Sequence, residues 1–332
     1  MTAATDVSTQ PRLVLPTIGC GTWAWGNRLL WGYDPSMDPE LQAVFNRCVS
    51  GGVTLFDTGD SYGTGRLNGR SESLLGQFAA DYTGPNQEQI CLATKLAAYP
   101  WRLTRGAMRR ACGASAERLQ RPVDLAQLHW STGNYAPWQE GALLDGLADL
   151  YEQGQVKGIG LSNFGPKRLR WVHQRLAQRG VPIATLQVQY SLLSTYPVTE
   201  LDVTAVCAEL GIRLIAYSPL CLGLLTGKYG LDKPLPGGLR GWLFRRMLPG
   251  IQPVLDTLGA IAQSRDKTLA QVSLNWCICK GTIPIPGAKS VTQAEDNLGA
   301  LGWQLDSGEV EELDQAAGRC DRTMVQNIFQ TR

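Results

Sequence analysis

Asp57, Tyr62, Lys95 and His129 are a carboxylate, a phenol, an ammonium and an imidazole, each at or just beyond the end of a β-rich run. Asp57 closes Val53-Thr54-Leu55-Phe56-Asp57, and Tyr62 follows five residues later. Lys95 closes Ile90-Cys91-Leu92-Ala93-Thr94-Lys95, and His129 closes the run that begins at Val123. A phenol in water has a pKa near ~10, too high for ready proton exchange at neutral pH. An ammonium beside it stabilises the phenolate, and a carboxylate can hold that ammonium in place. Together the four groups could manage a proton at an oxygen that is gaining negative charge. Taken singly, each has a plainer explanation: a turn residue, a loop aromatic, a solvated strand terminus, a ring packed beneath Trp130. Their arrival in this order at successive strand ends is the stronger signal. The only other histidine, His173, falls in a helical stretch.

Elements able to bring these groups together are visible in the pattern. β-rich runs at 17–20, 53–57, 90–95, 124–128, 156–161, 184–188, 212–217 and 282–285 alternate with amphipathic stretches. The latter are 38–50, 71–80, 104–119, 139–153, 166–179, 199–210 and 268–279. In 38–50, Leu41, Val44, Phe45, Cys48 and Val49 recur at i, i+3, i+4, i+7 and i+8, which is one helical face. Gly51-Gly52, Gly154, Gly180 and Gly211 stand where helices would end. The strands are apolar throughout, as strands covered on both faces are. Eight such units predict an α/β fold, a parallel (β/α)8 TIM barrel in which all strand carboxyl ends meet at one rim. A doubly wound sheet is disfavoured, because Gly19-Cys20-Gly21-Thr22-Trp23-Ala24 lacks the third glycine of a dinucleotide fingerprint.

Composition narrows the function classes. Among 332 residues, 31 Lys and Arg nearly balance 29 Asp and Glu, so neither nucleic acid nor an anionic membrane is an expected partner. No apolar run approaches the ~20 residues of a membrane span. The polar first dozen residues lack the features of a secretory signal. Nine scattered cysteines without a CxxC pair predict reduced thiols, hence the cytoplasm, or the stroma of a plastid in a plant or alga. Two histidines, in neither an HxH nor an HExxH arrangement, disfavour a metal-dependent hydrolase, and no metal is expected.

From about Leu13 to Leu301 the chain closely resembles the aldo-keto reductase superfamily, whose Asp, Tyr, Lys and His occur in this order and setting. The resemblance implies reduction of an aldehyde or ketone to an alcohol, with NADPH as hydride donor. It implies Tyr62 as general acid, Lys95 as its tuner, Asp57 as the anchor of Lys95, and His129 as a donor to the substrate oxygen. Ser162, Asn163 and Gln187 would bind the nicotinamide carboxamide. Tyr217 would stack on the ring, within the run that continues through Ser218, Pro219 and Leu220. Gly21, Thr22 and Trp23 would border the nicotinamide beside Asp57, while Leu222, Gly223 and Lys228 would cover the pyrophosphate. The segment from Ile283 through Gly287, Lys289 and Ser290, then Gln293, Asp296 and Asn297, matches the adenosine site. There a helix starting near Val291 offers amides and positive potential to phosphate. Lys289 and Ser290 suit a 2′-phosphate, which favours NADPH over NADH. This segment resembles the branch containing bacterial and plant reductases and potassium-channel beta subunits, although Asp296 is shorter than the usual glutamate. The run from Trp23 to Asn27 and the insertion around Trp31 are similar to plastid and cyanobacterial members.

Trp23, Trp25, Trp31, Tyr99, Trp101 and Trp130, with Tyr62 and His129, are the expected substrate wall. Such a wall suits flat or apolar carbonyls, aryl aldehydes first and pyridoxal-like compounds second. The alternative is a redox-sensing subunit that binds NADPH and turns over negligibly. A small carbonyl compound is the expected partner, and a monomer would suffice. One domain is expected over 1–332, with its core at about 13–303 and an N-terminal β-hairpin. A long loop at 218–250 would cover the ligand, a smaller insertion would run from Asn27 to Pro39, and an acidic helix (Asp306 to Ala317) would precede a tail.

Overall fold

The computed structural model of the chain describes residues 13–65 and 68–331. Eight strands follow one another around a single parallel sheet: β1 (Gly19–Gly21), β2 (Leu55–Gly59), β3 (Cys91–Leu96), β4 (Leu125–Leu128), β5 (Gly158–Ser162), β6 (Ile183–Gln189), β7 (Arg213–Tyr217) and β8 (Ile283–Pro284). The Gly21 N–H donates to the Pro286 carbonyl at 3.1 Å, joining the first strand to the residues just after the last. The result is the expected (β/α)8 barrel. Register sets the depth of each polar side chain: Lys95 lies opposite Gln127, and Ser162 opposite Gln187. At Gly160 a Cβ would meet Thr185 Oγ1 at 2.2 Å and Gln127 Cγ at 2.9 Å. Only a bare α-carbon leaves room there for the inward Gln127.

A short helix α1 (Arg28–Trp31) sits in the first insertion, ahead of α2 (Asp38–Ser50). Around the barrel follow α3 (Arg70–Asp81), α4 (Arg105–Leu119), α5 (Pro137–Glu152) and α6 (Pro166–Ala177). The next segment is split into α7 (Tyr196–Thr199) and α8 (Val203–Leu210), where one helix was expected. Then come α9 (Gly238–Met247), α10 (Gln252–Arg265), α11 (Leu269–Cys279), α12 (Val291–Leu298) and the C-terminal α13 (Ser307–Gly318). Local chemistry starts them where the spacing says. The Thr104 side chain accepts from the Ala107 N–H at α4, and reciprocal capping boxes open α11 (Thr268 with Gln271) and α13 (Asp306 with Glu309). The five apolar residues of α2 are all buried, and Phe45 meets Phe56 of β2 with ring centroids 4.5 Å apart. Every cysteine among the described residues is a free thiol. No described helix is long and apolar enough to cross a membrane.

Three expectations need correction. The stretch 218–250 is not one long loop: it holds a 3-10 segment at Cys221–Thr226 and the helix α9. Glycine and proline content concealed that helix, although Gly241 is what lets it pack, since a Cβ there would lie 1.9 Å from the Pro236 carbonyl oxygen. Helix α10 was missed, although Val254, Leu258, Ile261 and Ala262 are spaced as a helical face and are buried. Trp25 is not a wall residue: it is fully buried, donates from Nε1 to the Ala288 carbonyl at 3.0 Å, and packs edge-on against Phe78 at 5.6 Å. The expected N-terminal hairpin falls outside the described residues, and β1 begins at Gly19.

Trp25 therefore acts through packing. Trp25→Phe is expected to cost about 1–3 kcal/mol of stability in a denaturant titration, from a lost hydrogen bond and a residual cavity. The KM for any carbonyl substrate should stay unchanged; a several-fold rise in KM would return Trp25 to the wall.

Candidate active site

The rim at the strand carboxyl ends opens into a cavity of about 810 Å³. Asp57, Tyr62, Lys95 and His129 all line it. Asp57 and Lys95 are buried on adjacent strands, and the ammonium donates to Asp57 Oδ2. The other carboxylate oxygen, Oδ1, accepts from Gln127 Nε2 at 2.8 Å and from Gln187 Nε2 at 2.9 Å. A buried ion pair persists only when its remaining lone pairs are satisfied in this way. Tyr62 comes from the loop after β2, held by its own N–H to the Gly59 carbonyl (2.9 Å) and its carbonyl to the Gly69 N–H (2.8 Å). Lys95 Nζ lies 5.0 Å from the Tyr62 ring centroid, and the His129 ring meets Tyr62 at 5.8 Å.

Removal from water pushes the Tyr62 phenol above its ordinary value, and the opposing pull of the Lys95 ammonium does not overcome it. Sequence reasoning foresaw the ammonium effect and not the larger burial effect. The phenol therefore keeps its proton through neutral pH, which suits a donor. Burial alone would lower Lys95, but Asp57 and Tyr62 hold it above its usual range, so it stays charged. Burial, aided by the Lys95 charge, drives His129 well below 6.5. A neutral imidazole results, and its Nδ1 is buried without a described partner.

Beside these groups the cavity extends along the remaining strand ends. Ser162 closes β5 and Asn163 follows it in a left-handed backbone conformation (φ 64°). Asn163 donates to Ser162 Oγ at 3.1 Å and accepts from the Tyr217 hydroxyl at 3.0 Å. Gly21, Thr22, Trp23, Gln187, Ser218, Pro219 and Leu220 lie on the same lining. Farther out are Leu222, Gly223 and Lys228, then Gly287, Lys289, Gln293, Asp296 and Asn297. Close approach of backbone is built in here, since a Cβ at Gly21 would lie 2.9 Å from the Ile285 carbonyl oxygen. These residues fit an elongated anionic ligand: Lys228 and Lys289 line the cavity, and Lys289 Nζ donates to the Trp31 carbonyl rather than to a carboxylate.

Several expected contacts are placed differently. Ser290 does not line the cavity; it caps α12 by accepting from the Gln293 N–H. The amide of Val291 is taken by Glu40 Oε1 at 2.9 Å, so part of that helix terminus is already satisfied. Asp296 Oδ1 accepts from Thr268 Oγ1 (2.7 Å) and Gln271 Nε2 (3.1 Å), which ties it to α11. Tyr99 lies outside the lining, stacked on the exposed Trp101 at 4.5 Å and edge-on to Trp130.

What the sequence did not disclose is the tail. Residues 324–331 run back across the strand ends, with the Met324 N–H on the Leu193 carbonyl (2.8 Å) and the Thr331 N–H on the Asn163 carbonyl (3.1 Å). Asn327 Nδ2 donates to the Tyr217 hydroxyl at 2.9 Å, and Phe329 stacks on Trp130 at 4.6 Å and 17°. Gln127 and Gly160 were likewise passed over, since neither carries reactive chemistry of its own.

The sequence profile described as the aldo/keto reductase family matches residues 17–317. This chain belongs to the aldo/keto reductase family. It is 55% identical over 323 residues to the chloroplastic pyridoxal reductase of Arabidopsis thaliana, covering 96% of this chain and 88% of that protein. A glycerol dehydrogenase from Gluconobacter oxydans has a similar structure (TM-score 0.77, 25% identity, 96% of each chain covered). So does an aldo-keto reductase from Klebsiella pneumoniae in complex with NADPH (TM-score 0.69, 26% identity, 95% of each chain covered). Membership makes the protein an NADP-dependent oxidoreductase of carbonyl and alcohol groups.

The direction of the His129 shift is open to measurement. Its ring is expected to titrate well below the ordinary imidazole range, seen in the imidazole nitrogen shifts by NMR. A titration midpoint at or above ~6.5 would contradict the enclosed, cation-flanked setting.

Proposed function

We propose that the protein reduces the aldehyde of a flat aromatic compound, a pyridoxal-like heterocycle, to the corresponding alcohol. The observation that carries this reading is the stacked pair of Trp130 and Phe329 on the cavity wall beside His129 and Tyr62, an aromatic face against which a flat ring can lie next to two groups able to bond a carbonyl oxygen. The pyridoxal reductase at 55% identity supports that substrate class. Bound NADPH supplies the hydride. Tyr62 gives its proton to the oxygen that gains charge, His129 donates a hydrogen bond to the same oxygen, and Lys95 stabilises the phenolate left behind. Asp57 keeps Lys95 charged and in place. Ser162, Asn163 and Gln187 hold the carboxamide, with Gln187 using its carbonyl oxygen because its amide serves Asp57. Tyr217 presents one face of the nicotinamide to the substrate. Lys289 recognises the 2′-phosphate.

Loss of NADPH absorbance with pyridoxal, benzaldehyde and a small dicarbonyl tests the reading. Pyridoxal and benzaldehyde should turn over faster than the dicarbonyl, and the reverse order would refute the aromatic preference. NADPH binding with no turnover on any aldehyde would instead favour a redox-sensing subunit. Tyr62→Phe should lower kcat by about a hundredfold or more while leaving NADPH affinity within a few-fold. The raised Tyr62 also sets the sign of the pH dependence. Reductive kcat/KM should show no loss of the donor proton up to the ordinary phenol range near ~10 and fall only above it, because burial raises Tyr62.

A further inference from the structure

Trp130 lines the cavity directly after His129, and three rings surround its indole. Phe329 of the tail lies nearly parallel to it, at 4.6 Å and 17°. His129 is tilted against it at 4.9 Å and 48°, and Tyr99 meets it edge-on at 6.3 Å and 80°. Contacts of this kind set the spacing of an indole but leave its rotation soft, because dispersion has little directionality. The one directional bond comes from outside the cavity. Trp130 Nε1 donates to the Tyr135 hydroxyl at 2.7 Å, and Tyr135 is not on the lining. Trp130 therefore offers the cavity a ring face, with its N–H already committed to Tyr135.

Tyr135 is half exposed, so burial does not fix it. Its backbone does. The N–H groups of Tyr135 and Ala136 both donate to the Thr132 carbonyl, at 3.1 and 2.8 Å, and Thr132 Oγ1 donates to the Ala136 carbonyl at 3.0 Å. This turn is anchored by Glu140 of α5, which is fully buried. Glu140 Oε1 accepts from the Thr132 N–H at 2.9 Å and from Ser131 Oγ, while Oε2 accepts from Arg168 of α6. Loosening the turn would strip bonds from a buried carboxylate, which is costly, so the brace is stiff. A chain of bonds thus runs from α6 through Glu140 and the turn to Tyr135, and ends on the indole. We infer that Tyr135 is a positioning residue for substrate recognition, its hydroxyl holding Trp130 in the plane against which a substrate ring lies. The assignment rests on the proposed reduction of aromatic aldehydes and names the residue that sets the recognition plane. Aromatic substrates gain from a fixed plane, because ring contacts depend on relative orientation. A small aliphatic carbonyl, bonded through its oxygen alone, gains nothing from it.

Steady-state kinetics of the whole enzyme with NADPH and pyridoxal, benzaldehyde or methylglyoxal test the assignment. Tyr135→Phe deletes one oxygen at a half-exposed position. It should raise KM for pyridoxal and benzaldehyde by about three- to tenfold, the worth of one neutral hydrogen bond. The kcat values, KM for methylglyoxal and the affinity for NADPH should stay within about twofold. A second readout is the Trp130 indole N–H in NMR, assigned by its loss in Trp130→Phe. Its exchange with water should speed up in Tyr135→Phe by about threefold or more. Trp138→Ala, at another exposed aromatic residue of the same segment, should change none of these values. Unchanged KM for the aromatic aldehydes in Tyr135→Phe overturns the assignment. So does an equal rise for methylglyoxal, or the same rise in Trp138→Ala, since either would make the effect merely structural. A wild-type enzyme with no aromatic preference sinks the proposed function as well; a preference that survives in Tyr135→Phe sinks only the role of Tyr135.

Discussion

A carboxylate and an ammonium sealed in the end of a barrel make the interaction on which the rest of the site depends. Taking either ion out of water costs several kcal/mol, and breaking such a pair by removing one partner costs about 3–5 kcal/mol. Asp57 and Lys95 are therefore tolerable only with the surroundings they have: Gln127 and Gln187 on one carboxylate oxygen, the ammonium on the other, and Gly160 making room for Gln127. The requirement reaches across five consecutive strands. It also explains why Tyr62 can stay protonated next to a cation, since the enclosure that makes the pair necessary also penalises a phenolate.

Around that pair the cavity is built from two kinds of wall. Strand ends carry the polar groups in a fixed register, whereas the segments beyond them close the sides. The tail packs Phe329 on Trp130 and bonds to Tyr217 through Asn327, so the aromatic face and the tyrosine beside Asn163 share one support. Helices α1 and α9 do the same at the opposite end, through Trp31 and Arg240. A rigid barrel with functional segments laid over its carboxyl rim is the general logic of this architecture.

Much of this was legible from residue order. The eight strands are legible to within two residues of their bounds because buried parallel strands are continuous apolar runs, and α2 because its apolar period is helical. Asp57, Tyr62, Lys95 and His129 were legible because reactive groups at strand ends converge in a barrel. Trp25 was misplaced because an indole beside a site is chemically indistinguishable, in sequence, from one that faces into it. Helix α10 carries the same helical spacing at Val254, Leu258, Ile261 and Ala262.

Sequence alone determined the barrel and the meeting of the four groups, since both follow from local periodicity and from the rule that parallel strands end at one rim. Tertiary structure alone decided that burial outweighs Lys95 at Tyr62, that Ser290 and Trp25 turn away from the cavity, and that the tail and α9 turn toward it. The reason is physical. Period and strand polarity are properties of neighbouring residues, whereas desolvation, side-chain aim and the docking of a distant segment depend on atoms brought close only when the chain has closed.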